Sequence, residues 1–98
     1  MVDALHVISR KLLLRASTPH PGLAAPLDAW FRIAKQARWR NLADVRRTLP
    51  TADSVGRFTV FNIKGNHFRL VTEINYLAGR IVLRHVLTHA EYDKGAWK

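Results

Sequence analysis

The apolar residues of this chain change their spacing once, near Arg57, and that change restricts the fold more than any other feature. Before Leu49 they recur at helical intervals. Leu23, Leu27, Trp30, Ala34 and Ala37 make one stripe, widened by Phe31 and Ile33. Pro26 must fall in the first turn of that helix, where its missing N–H costs little. Asn41 offers an N-cap for the next helix, Asp44 sits near its positive end, Leu42, Val45 and Leu49 form its buried stripe, and Pro50 stops it. From Arg57 the period becomes two: Phe58, Val60 and Asn62 alternate with Thr59, Phe61 and Ile63. Gly65-Asn66 is a two-residue hairpin turn of the primed type. The returning strand sends Phe68 and Leu70 to one face and His67, Arg69 and Val71 to the other. A second turn over Leu77–Arg80 leads into a strand over Ile81–Leu87.

Upstream, Leu5–Ile8 alternate as a short strand, and Ser9 caps a helix over Arg10–Ala16. Residues 17–22 then break it with two prolines. The pattern predicts an α+β fold, with an N-terminal strand and helices packed on one face of a small antiparallel sheet whose other face stays open. At 98 residues this is one domain spanning 1–98, able to remove roughly 65% of its unfolded-chain surface from water.

Composition narrows the chemistry. There are no cysteines, which excludes a disulfide framework or thiolate metal site and fits a reducing cytoplasm. The longest apolar run, Leu12–Leu14, is far too short to span a membrane, and no secretory signal is visible. The net charge of +9 attracts polyanions through counterion release, or an acidic protein partner. Nine bases and three acids precede Leu49, against seven bases and four acids after it. The helical half therefore carries more charge, while the strand half carries the more suggestive spacing.

Arg69 and Arg84 stand mid-strand on the expected open face. A guanidinium donates two parallel hydrogen bonds to a phosphate and stays charged at any working pH; the plainer role for each is to cover apolar surface with its stem. Among His67, His85 and His89, the last sits where the final strand ends and several elements converge. Imidazole there suits proton transfer with a ribose 2′-OH or a leaving 5′-oxygen. A zinc site from His85, His89 and Asp93 is disfavoured, because residues four apart on a strand stand too far apart to share one ion. Tyr92 is the competing proton-transfer group, and it could also hydrogen-bond phosphate, stack on a base, or pack the C-terminal turn onto the sheet. Asp93 suits orienting a neighbour. Lys64, beside the hairpin turn, suits contact with a nucleic-acid backbone. Trp30 and Trp39 are core residues by spacing.

The segments Phe61-Asn62 and Gly65-Asn66, followed by Arg69-Leu70, and then Arg84 with Thr88-His89-Ala90-Glu91-Tyr92-Asp93, together resemble the HigB-type toxins of bacterial type II toxin–antitoxin systems, a branch of the RelE-like superfamily. Pro26, Trp30, Trp39 and the Asp44–Pro50 segment extend the match over nearly the whole chain. The resemblance implies a RelE-like fold and an mRNA interferase, a small endoribonuclease that cleaves mRNA, on the ribosome or off it, and so stops translation. It implies attack of the 2′-OH on its own phosphodiester, with no metal and no cofactor. It also implies a cytoplasmic protein neutralised by a HigA-like helix-turn-helix antitoxin, with operator DNA reached only through that antitoxin. On this reading His89, Tyr92, Arg69 and Arg84 are the catalytic candidates, and Lys64, Asn66, Thr88 and His85 the RNA-binding ones. The alternative is a non-catalytic basic module of the same fold that binds RNA or protein.

Overall fold

A computed structural model describes residues 6–8 (as backbone), 20–65 and 67–98. The expected Ser9 cap and Arg10–Ala16 helix lie outside these residues, as does Asn66. A single 3-10 turn, Pro21–Leu23, leads into α1 (Ala24–Gln36), whose Leu27, Trp30 and Ala34 are buried. Pro26 lies in its first turn, as expected. Helix α2 (Leu42–Thr48) starts at Asn41, whose Oδ1 accepts the Asp44 N–H at 3.0 Å. Hydrogen bonds from Arg40, first of all its side chain, hold the Asp44 carboxyl below the usual carboxylate range.

Among the described residues the sheet has five strands: β1 (His6–Ile8), β2 (Asp53–Val55), β3 (Phe58–Ile63), β4 (Phe68–Asn75) and β5 (Arg80–Thr88), in the order β1-β5-β4-β3-β2. The last four pair antiparallel, and β1 joins the edge parallel to β5, with His6 opposite Arg80 and Ile8 opposite Val82. Strand β2 was not foreseen. Three residues beginning Asp-Ser carry no readable alternation, and β2 exists because Gly56, at φ 57°, turns the chain so that Val55 pairs with Phe58.

Phe61, Ile63, Leu70, Ile81 and Leu83 form the helix-facing side and pack with Leu23, Leu27, Trp30, Trp39 and Val45. Phe61 sits between two indoles, edge-on to Trp30 at 5.3 Å and stacked with Trp39 at 6.0 Å. One irregularity governs the rest of the sheet. Val71 pairs with His85 but Thr72 pairs with Leu83, so Arg84 is the extra residue of a β-bulge. Beyond it the faces exchange: Val86 packs into the helical core and Leu87 on the opposite side.

That opposite side is not open, which corrects the expectation. Phe58, Val60 and Val71 are buried there beneath Val55, Leu87, Tyr92 and Trp97. The cover comes from the C-terminus, where the expected turn is a helix, α3 (His89–Lys94). Thr88 caps it in a reciprocal box with Glu91: Thr88 Oγ1 accepts the Glu91 N–H at 3.1 Å, and the Thr88 N–H donates to Glu91 Oε1 at 2.9 Å. Gly95, at φ 74°, ends the helix and returns the chain so that Trp97 lies on Tyr92 and Phe58. Among the described residues no helix is long and apolar enough to cross a membrane.

Candidate functional site

The C-terminal cover determines which candidate residues meet. Alternation places Arg69 on the second face of β4, opposite Leu87. Because α3 closes over it, Arg69 is only 8% exposed. Its guanidinium lies 5.5 Å from the centre of the Tyr92 ring, donates to the Phe68 carbonyl at 3.2 Å, and donates to His89 Nδ1 at 3.1 Å. The other imidazole nitrogen, His89 Nε2, is 3.2 Å from Asp93 Oδ2, one helical turn on.

These contacts set the tautomer of His89. An arginine can only donate, so Nδ1 is the acceptor and Nε2 carries the proton directed at Asp93. The imidazole therefore bridges a cation and a carboxylate, with its lone pair held by Arg69. The His89 backbone N–H donates to the His67 carbonyl at 2.9 Å, which ties the start of α3 to the β3–β4 turn.

Tyr92 stacks on Trp97 at 5.0 Å, and the Trp97 indole N–H donates to the Tyr92 carbonyl at 2.9 Å. Burial raises the Tyr92 hydroxyl above its ordinary pKa of 10.0, with the carboxylates of Asp53 and Asp93 adding to the effect and Arg69 opposing it. A tyrosine in this setting stays protonated near neutrality. It can donate a proton or a hydrogen bond, but it is poorly suited to act as a base.

Of the four catalytic candidates, Arg69, His89 and Tyr92 converge and Arg84 does not. Arg84 occupies the bulge three residues before Leu87, about 10 Å along the strand. There it pairs with Glu73 at 3.4 Å, while Arg57 pairs with the same carboxylate at 2.9 Å. Arg69 also differs from the exposed phosphate holder foreseen, because it forms the floor of the site beneath α3. His85 is half-buried on the second face, opposite Val71. Thr88 is committed to the cap through its oxygen. Lys64 stands at the turn with φ 53°, and its carbonyl accepts the His67 N–H at 3.3 Å. Among the described residues no three His, Cys, Asp or Glu side chains group as a metal site would require.

Two contributors were missed. Trp97 anchors the cover, and the signals for it were present: Thr88-x-x-Glu91 is a capping-box sequence and Gly95 a C-terminal glycine. His20, from the breaker cluster, sets its ring edge-on to Phe68 at 5.2 Å, near the same end of the sheet. No periodicity marks it.

Comparison with known proteins agrees with this architecture. The chain is 27% identical over 93 residues to an mRNA interferase HigB of Escherichia coli O6:H1 (strain CFT073), covering 92% of this chain and 90% of that one. It is 26% identical over 92 residues to the mRNA interferase toxin HigB of Escherichia coli (strain K12) and to an mRNA interferase HigB of Shigella flexneri, each pairing covering 91% of this chain and 88% of the relative. Residues 23–95, from the 3-10 turn to the glycine that ends α3, match the family HigB_toxin. The chain therefore belongs to that family, described as the RelE-like toxic component of a toxin-antitoxin system.

Proposed function

We propose that this protein is an mRNA interferase, an endoribonuclease that inhibits translation by cleaving mRNA. The observation that carries the reading is the meeting of Arg69, His89 and Tyr92 at one end of a basic sheet. A scissile phosphate entering there draws the Arg69 guanidinium toward its oxygens, which frees the His89 Nδ1 lone pair. Nδ1 then takes the proton of the ribose 2′-OH while Asp93 faces the Nε2–H of the imidazolium that forms. The 2′-oxygen attacks phosphorus, the P–O5′ bond breaks, and the 5′-oxygen takes a proton from Tyr92, whose hydroxyl burial keeps protonated. The products are a 2′,3′-cyclic phosphate and a 5′-OH. Arg69 stabilises the charge that develops on the phosphoryl oxygens. No metal or cofactor takes part in this scheme.

The family supplies an antitoxin partner. We assign it as a HigA-like helix-turn-helix protein, through which alone the toxin reaches operator DNA, and we place the reaction in the cytoplasm, on mRNA bound to the ribosome or free of it. The competing reading, a non-catalytic RNA- or protein-binding module, draws on the burial of Arg69, since a covered guanidinium also suits a purely structural role.

Incubation of the purified protein with end-labelled RNA in EDTA, with and without translating ribosomes, separates the two. Cyclic-phosphate ends that disappear in Arg69→Ala and His89→Ala are the expected result. Binding without cleavage under every condition would overturn the enzyme.

A further inference from the structure

The end of the sheet carries basic groups on its helical side as well as on the side of Arg69 and His89. Phe68 is the pivot. It pairs with Ile63 on one side and Thr88 on the other, and its ring contacts the exposed His20 at 5.2 Å on the helical side. The ammonium of Lys64, next to Ile63, lies over the backbone of Gly22, where a Cβ on that glycine would come within 2.7 Å of Nζ. A side chain at Gly22 would push the flexible tip of Lys64 aside. Because Phe68 pairs with Thr88, His20 lies on the side of the sheet end toward the start of α3, and its charge is among the lesser causes that hold the Glu91 carboxyl below its ordinary value. From Lys64 across Phe68 to Thr88 and His89 is two strand spacings, about 10 Å. His20, Lys64 and the His67 backbone therefore border the candidate site on the side away from Tyr92 and Trp97.

We infer that His20 and Lys64 form a second subsite, for a nucleotide of single-stranded RNA flanking the one that reacts. Lys64 holds its phosphate and the His20 ring stacks on its base, so that the strand crosses the end of the sheet from the helical side to Arg69. Phosphate suits Lys64 because an ammonium contacts it as a point charge. A base suits His20 because the ring is exposed on one side and backed by Phe68 on the other. Glu91 does not oppose the phosphate directly, since the Thr88 cap engages its carboxylate. The inference rests on the RNA-cleaving reading for the position of the reacting nucleotide, but its test does not depend on cleavage.

The probe is a fluorescein-labelled, mixed-sequence single-stranded RNA carrying a 2′-O-methyl group on every ribose, which cannot react. Its affinity is measured by anisotropy across a salt series. Lys64→Ala should weaken binding and flatten the log K against log salt slope by about 0.7, the change for one phosphate contact on a single strand. Gly22→Ala shifts only the far end of the flexible Lys64 side chain, and should lower affinity by less than Lys64→Ala while leaving most of the slope in place. His20→Ala should lower affinity roughly five-fold, equivalent to about 1 kcal/mol of stacking, with little change of slope. All three residues are exposed, so far-ultraviolet circular dichroism should remain that of the wild type. Unchanged affinity and slope in all three variants would overturn the subsite. Loss of antitoxin binding with RNA binding intact would overturn it as well and make this rim a protein contact. Wild-type binding that the variants weaken, without cleavage of natural RNA, would instead count against the enzyme and leave the subsite standing.

Discussion

Replacing Trp97 by alanine tests whether the C-terminal cover creates the site. His89 and Tyr92 ride on a six-residue helix that has no buried residue of its own. Such a helix is too short to hold itself. It is fixed by the Thr88 cap at one end and by Trp97 at the other. The indole stacks on Tyr92 at 5.0 Å, meets Phe58 edge-on at 5.5 Å and donates one hydrogen bond. Two ring contacts worth about 0.5–1.5 kcal/mol each and a hydrogen bond worth about 1 kcal/mol place the loss near 2–4 kcal/mol. Its centre falls short of that of the roughly 3–5 kcal/mol range for a fully buried Trp→Ala change, as suits a half-buried ring. Urea unfolding followed by circular dichroism reads the global part. Hydrogen exchange at the Gly95 N–H, which donates to the Tyr92 carbonyl, reads local opening of α3. Trp97→Phe keeps a ring on Tyr92 but loses the N–H, and should recover more than half of the effect. RNA cleavage should fall in Trp97→Ala by more than the unfolded fraction accounts for, because Arg69 loses His89 and Tyr92 together. A variant with wild-type unfolding midpoint, exchange and cleavage would refute the claim that this cover builds the site.

Phe61→Ala should destabilise the fold by about 3–5 kcal/mol, because the ring is 2% exposed between two indoles; its urea midpoint tests this. Arg84→Ala should change stability by less than about 1 kcal/mol, the usual range for a surface ion pair, and should preserve most cleavage, whereas Arg69→Ala should abolish it; a parallel loss in both would return Arg84 to the site. The Thr88 N–H, foremost, holds the Glu91 carboxyl below its ordinary value of 4.5. A depressed folded pKa contributes stability above the ordinary value and loses it as pH falls through the folded one. The cap on α3 should therefore weaken below about pH 4.5, and exchange at Gly95 should rise there in the wild type but stay flat across that window in Glu91→Gln.

The change of period at Arg57 was sufficient to place α1, α2, β3, β4 and β5, because burying an apolar stripe or face needs only local spacing. The Asn41 cap was legible for the same reason: it is a contact between near neighbours in the chain. Arg69, His89 and Tyr92 were identifiable by chemistry, but their meeting was not, since Arg69 and His89 are twenty residues apart. Strand β2 was too short and polar to show a period, and β1 gave no sign that it would pair parallel to β5.

The amino-acid pattern alone determined the layers, the strand faces up to the bulge, and a basic surface able to attract a polyanion. Only the tertiary structure decided which basic groups lie together. The bulge at Arg84 shifts the alternation of β5, so it sends His85 and Leu87 to the second face and leaves Arg84 with Glu73. The closure of α3 then buries Arg69 beneath His89 and Tyr92. A bulge and a docked helix depend on pairing and packing between distant segments, and one-dimensional periodicity carries no record of either.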